Sequence, residues 1–316
     1  MVDIYKTNSK TAKLENIEKI EKGCWINMVK PTEEEIKEIS LHLKIDEDLL
    51  KYPLDIAEKA HIDTDDDDEA ILIVVDSPVT EISKGKNIYT TLPIGMILVR
   101  DETFITISQV KINVIENILI RNKTSKIRTR KKSRLVFQIL FDMAKDYIKY
   151  LTYINKDLEK FEESMEKTMS NKELMNILSF EKTMIYFNAS VKANQVVLEK
   201  LNRGKSITLY EEDSEILEDT IIENRQAIEM IQTYSEILNG IVDIFGTIVS
   251  NNLNIVMKFL TAITVILAVP TLISSFIGMN VKFPFNTEII GFYAVTAFSI
   301  LVTVISALLL KKKGLL

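Results

Sequence analysis

The sequence predicts an α/β N-terminal domain, then a long α-helical stalk, then two transmembrane helices at the C-terminal end. Three observations carry this expectation. Residues 259–279 and 289–310 are runs of 21 and 22 residues without a charge. About 20 apolar residues, rising ~1.5 Å each, cross a hydrocarbon core of ~30 Å, so each run is long enough to span. Only nine residues, 280–288, separate the two runs, so they return as a tight antiparallel hairpin. Strand-like patterning, by contrast, is confined to about the first 132 residues.

In that first region, residues 1–132, Gly23 to Val29 read as a strand ending at Pro31. Thr32 with Glu35 three positions later forms a capping box, which opens a helix through about Leu43. Residues 70–75 are a continuous apolar run, as in a buried strand. The runs 91–99 and 103–108 flank Arg100-Asp101-Glu102 and predict a hairpin. From Ser133 the pattern turns helical. One helix is expected to about Thr168, and a turn at Ser170-Asn171-Lys172-Glu173 carries a second capping box. The next helix runs to about Asn202, where Gly204 stops it, completing a helical hairpin over 133–204. Its acids, Asp157, Glu159, Glu162, Glu163 and Glu166, read as a solvated face. A stalk over 205–258 begins at about Glu211 and meets no proline before Pro270, so stalk and first span form one helix of roughly 90–100 Å. A helix of that length needs bundling to be stable.

Composition narrows the function. The chain holds 39 basic and 45 acidic side chains, net −6. Up to Ser250 the balance is 34 against 44, or −10, which disfavours nucleic acid as a partner and suits divalent cations. Cys24 is alone, so no intramolecular disulfide or cysteine cluster exists. With only His42 and His61, a histidine-rich zinc or catalytic site is not expected. No phosphate loop or nucleophile motif is present, and the chain does not read as an enzyme. The acidic run Asp63, Asp65, Asp66, Asp67, Asp68 and Glu69 lacks the spacing and glycine of a calcium loop, and reads as a solvated turn. The basic run from Arg121 to Arg134 contains no aromatic residue on which bases could stack. It reads as a solvated helix start or as pairing with acidic surfaces.

Charge placement sets the expected topology. Lys258 precedes the first span and Lys311, Lys312 and Lys313 follow the second, whereas the loop holds Lys282 and Glu288. Lysine-rich flanks stay inside, so both termini and the basic tail 311–316 are expected in the cytoplasm, and the loop 280–288 outside the cell membrane. No signal peptide is recognisable at Met1, leaving about 250 residues in the cytoplasm.

The first span, 259–279, also carries a pattern. Gly240, Asp243, Thr247, Ser250, Asn254, Met257, Thr261, Thr264, Ala268, Thr271, Ser275 and Gly278 follow alternating steps of three and four. That is an a/d stripe of mostly small or polar residues where a soluble coiled coil would place leucine. Such a stripe is costly against lipid and should meet other helices or water. From the stripe alone, close helix packing and pore lining both stay open.

Gly278-Met279-Asn280 directly after the first of two C-terminal spans, with lysines after the second, resembles the CorA family of divalent-cation transporters. The resemblance continues through Asn251-Asn252-Leu253-Asn254, Met257 to Thr261 and Pro270-Thr271, and extends to the layout of the whole chain. It implies a homopentameric funnel in the lipid bilayer, with five copies of the first span lining a pore for hydrated Mg²⁺, and Co²⁺ or Ni²⁺ as further candidate ions. Gly278, Met279 and Asn280 would form the outer mouth, and Asp243, Asn254, Thr261, Thr264, Thr271 and Ser275 the polar lining. Met257 and Leu260 would be a hydrophobic constriction. Closure by cytosolic Mg²⁺ between subunits would use Asp55 and Glu58 on one side and Asp219 or Glu223 on the other. Two rivals stand beside this reading: a zinc transporter of the same family, and a membrane-anchored coiled-coil scaffold without transport.

Overall fold

The computed structural model describes residues 1–8, 10–11, 13–64, 70–83, 86–100, 103–121, 127–165, 171–204, 207, 209–279 and 288–315. Asn280 and the rest of the loop to residue 287, the acids 65–69, the hairpin tip 101–102 and the turn 166–170 lie outside the described residues. The chain divides into two compact units, Met1–Asn239 and Gly240–Leu316. The division falls within one helix rather than at the membrane border expected near residue 258.

The first unit is built on a seven-stranded sheet. Its strands are β1 (Val2–Thr7), β2 (Leu14–Asn16), β3 (Cys24–Val29), β4 (His61–Thr64), β5 (Ala70–Ser83), β6 (Lys86–Val99) and β7 (Phe104–Ser108). Their spatial order is β2-β1-β3-β7-β6-β5-β4. Every neighbouring pair is antiparallel except β3 and β7, which run parallel with Trp25 opposite Phe104. The expected hairpin is present, but β5 and β6 are each 14 residues long, well beyond the apolar runs that predicted them. Their extra residues pair mixed side chains such as Thr80 with Tyr89 and carry no continuous apolar run of their own.

Local chemistry starts the helices where expected. In α1 (Glu33–Leu43) the Thr32 hydroxyl accepts from the Glu35 amide at 3.2 Å, while Glu35 Oε2 accepts from the Thr32 amide at 2.9 Å. Lys44 closes α1 in the left-handed region, φ 58°. Then α2 (Glu47–Lys51) and a 3-10 turn, Tyr52–Leu54, follow. Buried Ile36, Ile39, Leu49 and Leu50 of these helices pack with Ile26, Met28, Leu72, Val74, Ile97, Ile105 and Ile107 of the sheet. Each such side chain contributes about 1.5–3 kcal/mol by leaving water. The 3-10 turn sits hard against the sheet. A Cβ on Gly95 would fall 2.2 Å from Pro53 Cγ, so only glycine allows this approach.

The remaining helices are α3 (Asn113–Arg121), α4 (Lys132–Met165) and α5 (Asn171–Asn202). The last two pack on β5 and β6, burying Phe137, Tyr147 and Phe187, with the Tyr147 and Phe187 rings edge to face at 5.1 Å. Gly204, φ 68°, terminates α5 as expected. Two residues of the basic run pair with an acid: Glu212 meets Arg134 at 2.6 Å and Lys131 at 3.3 Å, while Lys123 and Lys126 lie outside the described residues.

Stalk and first span are one helix, α6 (Glu211–Ile277), continuous through Pro270. Its first part packs on α5, where Asn224 Nδ2 donates to the Val191 carbonyl at 3.1 Å and to Gln195 Oε1 at 2.9 Å. The second apolar run is α7 (Glu288–Lys312). Both helices are long and apolar enough to cross a membrane, and their apolar stretches are almost entirely exposed.

Candidate functional site

The second unit consists of the end of α6 and the whole of α7. Along the apolar run of α6 from residue 259 the covered positions are Ala262, fully buried, and half-buried Ile263, Ile266, Val269, Pro270, Ile273 and Ile277; before it, Ile241 is buried and Phe245 and Ile248 half-buried. Along α7 the half-buried positions are Gly291, Val295, Ser299, Val302, Thr303, Ser306, Ala307 and Leu310. Each set recurs at three or four residues and so lies on one helix face. The α7 face is mostly small residues, the composition that lets membrane helices approach closely. These two faces account for each other, since the unit contains no other described element.

The polar stripe of α6 is uncovered, as are apolar neighbours of it such as Phe259, Leu267, Leu272 and Phe276. Asp243, Asn254, Met257, Leu260, Thr261, Thr264, Thr271, Ser275, Gly278 and Met279 are all exposed. Two shallow grooves follow this stripe. One is lined by Val242, Asp243, Gly246, Thr247, Ser250, Asn251 and Asn254. The other is lined by Thr264, Leu267, Ala268, Thr271, Leu272, Ser275, Phe276 and Met279. Met257, Leu260 and Thr261 line neither of these two grooves. Gly246, Thr247 and Ser250 therefore belong with the expected lining residues, and the heptad spacing was the signal for the last two.

The hydroxyls have a defined polarity. Thr261, Thr264 and Thr271 donate to the carbonyls of Met257, Leu260 and Leu267, each at 2.8 Å, and Thr247 donates to Asp243 at 3.0 Å. A threonine whose proton is committed to its own turn presents only oxygen lone pairs outward. The stripe is thus a row of neutral acceptors, able to take hydrogen bonds from the water shell of a cation.

At the end of α6 the Gly278 amide donates to the Ser274 carbonyl at 2.9 Å, so Gly278 continues the helix. An added Cβ there would lie 3.4 Å from the Ser274 oxygen, which is ordinary contact. Nothing among the described residues requires glycine at this position. Asn280, the expected centre of the outer mouth, lies outside the described residues.

The expected regulatory acids all fall in the first unit. Asp55 is exposed, and its Oδ1 accepts from the Ala57 amide at 2.9 Å. Glu58 is half-buried, 3.5 Å from His61 Nδ1. On α6, Asp219 is exposed and Glu223 half-buried. Among the described residues no three His, Cys, Asp or Glu converge to hold a metal ion. One chain alone does not assemble a cation site from these four.

A sequence profile described as CorA-like Mg2+ transporter protein matches residues 21–312, nearly the whole chain. The chain belongs to the CorA family. The cobalt/magnesium transport protein CorA of Methanocaldococcus jannaschii is 29% identical over 300 residues, covering 92% of this chain and 90% of that protein. The CorA of Thermotoga maritima is 24% identical over 197 residues, 61% of this chain and 56% of its own length. The complete structure of the M. jannaschii CorA magnesium transporter superposes with a TM-score of 0.86 at 26% identity, covering 100% of this chain and 99% of that one. The full-length CmaX protein shares the fold, with a TM-score of 0.71 at 12% identity. The CorA family is one of transporters rather than enzymes, and this chain is a membrane protein with a CorA fold.

Proposed function

We propose that this CorA protein is a channel for hydrated Mg²⁺, with Co²⁺ and Ni²⁺ as further permeant ions, driven by the membrane potential. The observation that carries the reading is the uncovered acceptor stripe of α6, from Asn254 to Ser275, flanked by lipid-length apolar surface. A stripe of that kind is stable in a membrane only if it meets water or copies of itself. Five chains arranged about an axis would satisfy it on both counts, each stripe facing a common water-filled path.

Mg²⁺ gives up its water reluctantly, so a ring of neutral oxygens that binds the hydrated ion is a suitable selective site. Asn280 would supply side-chain amide oxygens at the outer mouth, with the Gly278 and Met279 carbonyls beside them. Thr271, Ser275, Thr264 and Thr261 would then pass the shell along without a fixed charge, so no site holds the ion too tightly to leave. Met257 and Leu260, both exposed on α6, would in a ring close the path by excluding water. Below them Asn254 would form an amide ring and Asp243 a carboxylate ring at the cytoplasmic end.

Closure would follow cytosolic Mg²⁺ bound between neighbouring chains, by Asp55 and Glu58 of one and Asp219 or Glu223 of the next. The failure of a single chain to bring three of these groups together fits a site completed by a second copy. Zinc as the ion is not favoured: residues 240–316 contain no histidine or cysteine. A scaffold without transport leaves the outward acceptors without a role.

The deciding experiment is Mg²⁺ uptake into proteoliposomes by the purified protein and by Asn280→Ala. Loss of uptake with the oligomer intact is expected. Normal uptake by a correctly assembled Asn280→Ala protein would remove Asn280 from the outer mouth, and no uptake by the unmodified protein would remove the channel reading.

A further inference from the structure

We infer that Lys258, Lys311, Lys312 and Lys313 form a binding site for the phosphate headgroups of anionic lipids in the leaflet next to them. The inference rests on the membrane placement of α6 and α7 argued above.

These lysines stand at the ends of the two covered helix faces. Lys258 lies one turn before Ala262, the fully buried residue of the α6 face that α7 covers. Lys311 lies one turn after Ala307, on the half-buried face of α7. Residues four apart share a face, so Lys258 and Lys311 extend the two facing surfaces beyond the apolar stretch. Lys312 and Lys313 follow in the same turn. That turn is fixed: the Leu315 amide donates to Leu310 and the Gly314 amide to Lys311, both at 3.1 Å, with Gly314 at φ 70°. This is a Schellman end, and it holds the three lysines at the helix terminus rather than on a loose tail.

All four side chains are exposed, and none forms an ion pair or side-chain hydrogen bond among the described residues. The side-chain carboxylates of this unit are distant. Asp243 lies 15 residues before Lys258, about 22 Å along the helix, and Glu288 is at the other end of α7. Four ammonium groups at the edge of a hydrocarbon layer, with no carboxylate beside them among the described residues of this unit, fit lipid phosphates: these occur at that depth, and basic clusters beside a span attract anionic leaflets. The long lysine stems reach the headgroup level while their carbons stay in apolar surroundings.

The test uses the full-length protein in mixed micelles of equal parts phosphatidylglycerol and phosphatidylcholine, with retained lipids counted by native mass spectrometry. Preferential retention of phosphatidylglycerol is expected, falling on the order of tenfold in Lys258→Gln/Lys311→Gln/Lys312→Gln/Lys313→Gln. The control Lys37→Gln/Lys182→Gln/Lys192→Gln/Lys200→Gln removes equal charge from exposed positions of the first unit and should retain lipid normally. Should the quadruple variant fail to assemble, Lys312→Gln/Lys313→Gln and the release of phosphatidylglycerol from unmodified protein by added salt decide the question. No preference in the unmodified protein, equal loss in the control, or equal protection against heat by inorganic phosphate would overturn the lipid site. Mg²⁺ uptake into phosphatidylcholine-only proteoliposomes is measured alongside. Uptake without lipid preference overturns only the lipid site, whereas preference without uptake overturns only the channel reading.

Discussion

The side chain of Asn194 on α5 binds both main-chain polar groups of Asp76 on β5: its Oδ1 accepts from the Asp76 amide at 2.9 Å and its Nδ2 donates to the Asp76 carbonyl at 2.8 Å. Pairing with β4 stops at Val74, so β5 is an edge from there onward. Asn194 stands in for the missing strand, and Tyr147 donates to the same carbonyl at 2.9 Å.

Asn194→Ala should therefore destabilise the first unit by about 1–3 kcal/mol, because it strands the Asp76 amide while the carbonyl keeps its bond from Tyr147. Chemical unfolding followed by circular dichroism reads the change. Asp76 amide exchange should speed up well before global unfolding, and unchanged exchange would mean that water replaces the amide without loss.

Burial pushes the Asp76 carboxyl above its ordinary range, opposed by a hydrogen bond with Ser190, and Tyr147 and Asn194 bond the main chain of the same residue. A carboxyl whose folded pKa exceeds its unfolded value binds its proton more tightly when folded. Its stabilising effect is full below the unfolded value and lost as pH rises through the folded one. Asp76→Asn should flatten that part of the stability–pH curve and raise stability at neutral pH. An unaltered curve would show that the carboxyl is as well solvated as in the unfolded chain.

Trp25, the sole tryptophan, donates through Nε1 to Thr106 Oγ1 at 2.9 Å, and Thr106 donates on to Asn27 Oδ1 at 2.9 Å, all three being buried. Thr106→Val keeps the shape but orphans the indole N–H and the Asn27 oxygen. A loss of about 1–3 kcal/mol is expected. The emission of Trp25 reports the same event directly, and an unshifted spectrum would argue that the two groups re-pair.

Met257 and Phe259 are equally exposed in the single chain, at 53% and 55%, yet only Met257 lies on the stripe. Met257→Ser and Leu260→Ser should leak Mg²⁺ at cytosolic levels that close the unmodified protein. Phe259→Ser should lower stability without comparable leak. Equal leak from all three would indicate general loosening of the helices, and the constriction would have to be placed elsewhere.

For topology, a cysteine replacing Asn286 should react with an impermeant thiol reagent from outside intact cells, and one replacing Gly314 should not, in protein lacking Cys24. The reverse labelling would invert the orientation and place the lysines of α6 and α7 on the outer leaflet.

Some of this protein was determined by sequence alone, because the causes are local. Spanning length follows from consecutive apolar residues, the α1 start from Thr32 and Glu35, and the stripe from a period of three and four. Tertiary structure decided what depends on residues far apart in the chain. The parallel pairing of β3 with β7 joins Trp25 to Phe104, and no periodicity in either strand names the other. The polar ends of β5 and β6 form because each strand templates the other and α5 closes the edge through Asn194. The stripe was visible in the sequence, but a helix has several faces and its period does not say which one a neighbour will cover. In the structure Ala262 is buried and Ile263, Ile266 and Ile273 half-buried, whereas Asn254, Thr261, Thr264 and Thr271 are uncovered, the three threonines with their lone pairs outward. Burial goes to the apolar side of α6 because covering the acceptors would leave their lone pairs unpaired.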